Sequence, residues 1–243
     1  MIRDNQLTQN GDTSLLYGGA MLVDNSDVTI FNTTFTNNTA IHGAAMAFRC
    51  TSMALCSLNT TENRFVENTA EKEGGAIYYD YNRPEISSNI FVDNQAQYGS
   101  DIASYPVKIV NNGSRTDSMS ISNIGSGIQY DDTITLALLD YDNQTMVLND
   151  QDSITINPSD FSQSSIFGTN YGLLTDGVTS FSGLTFTNQP GAVNVPFVAS
   201  SKAIDTDKIN NVFGSQISDN IIDISFRWCQ PGEIDDQNGT CTQ

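Results

Sequence analysis

The stretch FVENTAEKEGGAIY at residues 65–78 decides the fold, because the same phrase returns on either side of it. Phe35-Thr36-Asn37-Asn38 precedes Gly43-Ala44-Ala45-Met46, Phe65-Val66-Glu67-Asn68 precedes Gly74-Gly75-Ala76-Ile77, and Phe91-Val92-Asp93-Asn94 precedes Gly99-Ser100-Asp101-Ile102. A worn copy stands earlier: Ile2-Arg3-Asp4-Asn5 replaces the first half of the phrase and Gly18-Gly19-Ala20-Met21 the second. The unit is polar, Asn-rich, punctuated by Gly, and holds only short apolar alternations. That composition suits one coil of a right-handed parallel β-helix better than a helical repeat.

Each residue of the phrase has a physical role in such a coil. Phe35, Phe65 and Phe91 end short strands and are expected to stack inward, coil upon coil. Asn38, Asn68 and Asn94 are expected at a corner, where an amide can bridge to its equivalents and left-handed backbone is tolerated. Gly74 and Gly75 supply a tight corner without Cβ, and the Ala-Ile that follows turns into the next inward-facing strand.

The two phrases FxxN and GGA[ILM] resemble the repeats of the polymorphic outer-membrane proteins, over about residues 1 to 104. The middle copy matches fully, GAAM departs at one position and GSDI is a weak copy. The resemblance implies a β-helical passenger displayed at a cell surface, with adhesion or architecture as its work and no enzyme activity. Under it, Phe35, Phe65, Phe91, Asn38, Asn68 and Asn94 are structural residues only. The worn first coil carries an insertion at residues 10–14 that should loop out.

At Tyr105-Pro106 the phrase stops. From there to residue 227, turn residues separate short alternating runs, and strands are expected at 119–124, 133–139, 145–148, 153–156, 178–186, 193–198 and 221–226. Residues 140–143, Asp-Tyr-Asp-Asn, read as the turn of a hairpin. The pattern predicts an immunoglobulin-like β-sandwich over residues 105–227, with degenerate β-helix coils as the alternative. The chain is thus expected to be all-β: a right-handed parallel β-helix at 1–104, the sandwich, and a cysteine-containing segment or tail at 228–243. The phrase ISFRWCQPGE at residues 224–233 resembles the junction in large ciliate cell-surface proteins where coils and a sandwich lead into a growth-factor-receptor-like cysteine-rich region.

Charge and cysteines bound the compartment. The chain has 243 residues, 28 acidic and 10 basic, for a formal net charge of −18. Phosphate backbones and anionic lipid are repelled by such a surface, which excludes nucleic acid and disfavours a membrane surface. No apolar run is long enough to span a bilayer. The four cysteines fall in two local pairs, Cys50 with Cys56 and Cys229 with Cys241, and local disulfides are the favoured of three connectivities. Zinc is disfavoured, since His42 is the sole histidine and neither pair has CxxC spacing.

Asn32, Asn37, Asn59, Asn112, Asn143 and Asn238 each begin an Asn-x-Ser/Thr triplet, so N-linked glycans and a eukaryotic secretory route are expected. The opening Met1-Ile2-Arg3-Asp4-Asn5 is polar and already part of a repeat, so the chain reads as a piece of a longer one.

Catalytic chemistry is hard to find. A β-helix lyase needs calcium-holding carboxylates and a base, yet Arg3, Arg49, Arg64, Lys72 and Arg83 stand in no acidic cluster. Asp80, Asp93 and Asp101 could supply paired carboxylates but read better as solvated corners. Gly125-Ser126-Gly127 lacks the GxSxG elbow. Calcium is the one cofactor the sequence suits at all, through Asp140, Asp142, Asn143, Asp150 and Asp152 around the hairpin, though Asp and Asn also simply suit turns.

Three functions follow. The first is a self-assembling extracellular structural glycoprotein, whose partners are copies of itself in a filament or coat. The second is a surface adhesin or glycan-binding module using Tyr78, Tyr79 and Tyr81 as a platform. The third is a pectate-lyase-like enzyme.

Overall fold

The structure, a computed structural model, describes residues 2–3, 16–50, 56–80, 82–213, 220–235 and 239–242. Its regular structure is nearly all strand, with one short helix among the described residues. Two compact units are present: unit 1 holds residues 1–106, 140–144 and 206–215, and unit 2 holds 107–139, 145–205 and 216–243.

Unit 1 contains β1 (Ile2–Arg3), β2 (Met21–Asp24), β3 (Val28–Phe31), β4 (Thr34–Thr36), β5 (Thr39–His42), β6 (Met46–Arg49), β7 (Leu58–Thr61), β8 (Arg64–Val66), β9 (Thr69–Glu73), β10 (Ile77–Tyr79), β11 (Ile90–Val92) and β12 (Ile102–Ala103). Successive copies of the phrase lie side by side in parallel. One sheet runs β1-β4-β8-β11, another β12-β10-β6-β2, and β3 pairs with β7 and β5 with β9. The register aligns like with like: Ile2 with Phe35, Phe35 with Phe65, and Phe65 with Phe91. Ile2 therefore occupies the Phe position of the worn copy, as the repeat predicts. The expected loop at residues 10–14 lies outside the described residues.

The first Gly of each pair is a backbone requirement. Gly43, Gly74 and Gly99 have φ of 62, 67 and 60°. A Cβ on Gly74 would fall 2.6 Å from the Ile77 carbonyl oxygen, and one on Gly75 only 2.0 Å from that of Ser100. Left-handed backbone at the other corner falls one residue earlier than the sequence suggests, at Asn37, Glu67 and Asp93, with φ of 54, 53 and 51°. The Asn that follows is free to make the ladder instead.

Unit 2 contains β13 (Pro106–Asn111, whose first residue is counted with unit 1), β14 (Ser118–Gly125), β15 (Ile134–Asp140, whose last residue is counted with unit 1), β16 (Ser153–Pro158), β17 (Ser165–Phe167), β18 (Tyr171–Leu173), β19 (Val178–Phe181), β20 (Thr185–Thr187), β21 (Val195–Ser200), then, after the unit 1 helix α1 (Thr206–Phe213), β22 (Asn220–Arg227), β23 (Ile234–Asp235) and β24 (Cys241–Thr242). Three strands form a sheet in the order β13-β15-β19 and five another in the order β14-β22-β21-β16-β18, with β17-β20 and β23-β24 as separate pairs. The β14–β22 pairing is parallel, whereas β22–β21, β21–β16 and β16–β18 are antiparallel. Strand β22 alternates strictly, burying Asn220, Ile222, Ile224 and Phe226.

Two expected strands are corrected here. Residues 145–148 form no strand: Thr145 makes a single bridge to Leu139, and the chain turns through Asn149, whose N–H reaches the Met146 carbonyl at 3.1 Å. The run 178–186 is two strands, since Gly183 takes φ of 67° and breaks it.

Candidate functional site

The feature that the repeat builds is a continuous internal ladder in unit 1. The rings of Phe35 and Phe65 stack with centroids 5.0 Å apart, and those of Phe65 and Phe91 at 5.1 Å. Phe35 and Phe65 are fully buried. Burial of such a ring contributes roughly 1.5–3 kcal/mol, and each stacked pair roughly 0.5–1.5 more. Beside the rings, the Asn38 side-chain amide donates to Asn68 Oδ1 at 2.8 Å and that of Asn68 to Asn94 Oδ1 at 2.9 Å. The same oxygens accept the backbone N–H groups of Asn38 and Asn68. The steps from Asn38 to Asn68 and from Asn68 to Asn94 thus repeat one bonding pattern.

A second ladder escaped the sequence reading. Asn63 Oδ1 accepts the Thr33 N–H at 2.8 Å, and Asn89 Oδ1 accepts the Asn63 N–H at 2.9 Å. The Asn63 amide donates in turn to the Ile30 carbonyl and that of Asn89 to the Thr60 carbonyl. The signal was present: Thr33, Asn63 and Asn89 each stand two residues before the repeat Phe.

The last rung is finished by the acidic turn. Gln144 donates through its amide to the Ile102 carbonyl on β12 at 2.9 Å. Tyr98 OH donates to the fully buried Asp140 carboxylate, which also accepts the Gln144 backbone N–H at 2.7 Å. Tyr79 OH donates to Asp142 Oδ2 at 2.6 Å, and the Arg83 guanidinium meets Asp142 Oδ1 at 2.8 Å. Burial lifts the Asp140 carboxyl above the usual carboxylate range despite those donors, and burial pushes both phenols up, so they remain donors. Of the other acidic residues weighed for calcium, Asp150 accepts the Asp176 N–H at 3.0 Å and Asp152 the Asn149 amide at 2.6 Å. Both belong to unit 2, whereas Asp140 and Asp142 are counted with unit 1. The metal-compatible cluster among the described residues is Cys229, Glu233 and Cys241, and its two cysteines are joined to each other.

The remaining sites can be placed one by one. Both local disulfides form, Cys50–Cys56 and Cys229–Cys241. Asn32, Asn37, Asn59 and Asn143 are exposed and Asn112 half-buried; Asn238 lies outside the described residues. The Tyr platform is corrected: Tyr78 and Tyr79 are only 2% and 1% exposed, because β10 is paired on both sides and Tyr78 packs against Tyr17, His42 and Tyr105. Tyr81 lies outside the described residues.

His42 is buried, its Nδ1 is 2.8 Å from Glu73 Oε1, and it stacks on Tyr17 at 4.6 Å. Ser126 is fully buried, and its Oγ lies within hydrogen-bond reach of the backbone carbonyls of Asn188, at 2.6 Å, and of Gly239, its single hydroxyl proton serving one of them. Asp80 is buried and accepts the Cys50 N–H at 2.7 Å, while Asp101 accepts the Asn94 amide at 3.1 Å and Asp93 is an exposed corner. In the RWCQPGE phrase, Arg227 grips Glu233 through two bonds of 2.8 Å, and Glu233 accepts the Gln230 N–H at 2.7 Å.

Comparison with known families matches residues 64–80 to the Chlamydia polymorphic membrane protein repeat. No curated protein and no solved structure matches the chain. The matched residues cover β8, β9 and β10, the one copy in which the phrase is complete. The repeats of unit 1 are therefore similar to those of the polymorphic membrane proteins, and the match extends no further along the chain.

Proposed function

We propose that this chain is an extracellular structural glycoprotein, a self-assembling building block of a surface filament or coat. Its repeats would form a right-handed parallel β-helix, and unit 2 an immunoglobulin-like sandwich in which the parallel β14–β22 pair extends the larger sheet. The observation that carries this reading is the ladder of identical residues, Phe on Phe and Asn on Asn, locked by backbone bonds from rung to rung. A stack of that kind gives length and stiffness without an active site. Among the described residues β2 and β3 are paired on one side only, and Leu22 and Phe31 are exposed there. This edge is where contact between copies would form.

N-linked glycans on Asn32, Asn37, Asn59 and Asn143 would sheath the outside, and the disulfides suit an oxidising, extracellular setting. No catalytic role is assigned: His42 and Ser126 are each enclosed by their own partners. No helix among the described residues is long and apolar enough to cross a membrane. Electron microscopy of the native material beside sedimentation in the same buffer tests the reading. Regular fibres or a lattice are expected, and compact monomers at high concentration would sink it.

A further inference from the structure

Unit 2 carries a polar groove that the assembly reading does not use. Two cavities of about 540 and 440 Å³ share Gln163, Ser164, Asn188 and Gln189 as walls, so they form adjoining halves of one depression. Each is within the ~300–1,000 Å³ range of small-molecule clefts.

The floor is fixed in place. Asn188 donates from its amide to the buried Ser164 Oγ at 2.8 Å and accepts the Gln189 N–H on Oδ1 at 2.7 Å. Its backbone N–H donates to Ser126 Oγ at 3.1 Å, and its carbonyl lies 2.6 Å from the same oxygen. Gln163 and Gln189 are exposed and line both halves. An amide offers a donor and an acceptor side by side, the pattern that two neighbouring sugar hydroxyls complement.

Two aromatic rings flank this floor and face solvent. Phe161, 73% exposed, walls the first half. Trp228, 75% exposed, lies over Gly191, between the lining residues Gln189 and Ala192 in sequence. A Cβ on Gly191 would fall 2.5 Å from the indole, so the glycine leaves room for the ring. Rings unshielded beside amides offer apolar faces to the C–H faces of a sugar. No Lys or Arg is among the described residues lining either half, and the carboxylate of Asp160 borders the second.

We propose that the groove formed by Gln163, Asn188 and Gln189, flanked by Phe161 and Trp228, binds a neutral oligosaccharide. The Asp160 carboxylate, whose ionised form is favoured by the Ser162 hydroxyl and N–H, repels uronates and sulfated sugars from the same place.

The test is an array printed with neutral glucose, mannose and N-acetylglucosamine oligomers beside uronate oligomers, probed with the full chain. Titration calorimetry of the best neutral binder with dilute protein then gives an affinity that does not depend on whether the chain assembles. Neutral oligomers should bind in preference to uronates. Phe161→Ala and Gln189→Ala should each weaken binding by ~10-fold, the size of a contact that carries affinity. Phe167→Ala, which removes another exposed ring outside the groove, should leave it unchanged. Both rings are exposed, so unchanged melting temperatures should separate lost binding from lost folding. Absence of any neutral binder, preference for uronates, or binding indifferent to Phe161→Ala and Gln189→Ala would each overturn the proposal.

Discussion

Unit 1 packs equivalent residues of successive repeats against one another, whereas the contacts of unit 2 join residues with no such equivalence. In the repeat, Phe65 meets Phe35 and Phe91 in near-parallel stacks, with interplanar angles of 4 and 10°. In unit 2, Phe186 meets Phe197 edge to face at 77° and Tyr130 at 68°. Translation by one rung fixes the first geometry, since parallel strands in register superpose equivalent side chains. Nothing repeats in unit 2, so each pair finds its own angle. A repeat therefore spreads its stabilisation evenly, but it also repeats its weak points.

The largest expected effect follows from that. Phe65→Ala removes the central ring of three and leaves a cavity facing both neighbours, and it should cost unit 1 about 3–5 kcal/mol. Phe197→Ala in unit 2 should cost a similar amount at its own site. The comparison is sharpened by hydrogen exchange: loss of Phe65 should lower protection in the rungs on both sides, β4 and β11, along the stack. Protection lost only within β8 would show that the rungs are independent and would break the contrast.

A smaller pair sets two glycines of the same φ against each other. Gly74 and Gly183 both have φ of 67°. A Cβ at Gly74 strikes the Ile77 carbonyl at 2.6 Å, whereas at Gly183 the nearest atom is Gln129 Nε2 at 3.4 Å. Backbone strain alone is worth about 1 kcal/mol, so Gly183→Ala should lose about that and Gly74→Ala about 3 kcal/mol or more. Equal losses in chemical denaturation would mean that the close approach of the rung is relieved by a shift of the chain.

What the sequence shows of each unit follows the same division. FVENTAEKEGGAIY could be read because a rung meets copies of itself: aligning the copies also aligns the contacts, and Phe on Phe and Asn on Asn needed no structure. Even the missed ladder of Thr33, Asn63 and Asn89 was in phase with the Phe. In unit 2 only alternation was visible. It placed β14, β15, β16, β21 and β22, which are long enough to alternate over several residues. It missed β13, whose six residues do not alternate, β17 and β18, which are three residues each, and α1, although Asp207 stands in its first turn and its eight residues are amphipathic. The acidic turn was noticed for its oxygens, as a calcium candidate, because sequence spacing cannot tell that Tyr79, Tyr98 and Arg83 stand ready to bond it. The groove at Asn188 gave no signal at all, since Asn, Gln and Ser between strands look like any turn.

The finest distinction is the sign of the response to acid of buried and of exposed carboxyls. Asp80 and Asp140, buried in unit 1, are raised by burial, whereas Glu233 in unit 2 is pulled down to about 2 by Arg227, and the exposed Glu85 of unit 1 is lowered by its bonds from Ser87. Folding therefore favours the protonated form of Asp140. As pH rises from the usual carboxylate range through the raised folded value, unit 1 is left with a desolvated charge and loses stability. Glu233 acts the other way, stabilising above the usual Glu range and losing that contribution as pH falls through about 2. Asp140→Asn keeps a carbonyl oxygen for the Gln144 N–H but removes the titration. Its melting temperature relative to the parent should therefore climb as pH rises across the Asp140 window, and Glu233→Gln should fall further behind its parent as pH rises from about 2 into the ordinary Glu range. If the gap for Asp140→Asn stays level with pH, the bonds from Tyr98 and Gln144 have offset the burial of the charge, and the turn that finishes the last rung is held as firmly ionised as neutral.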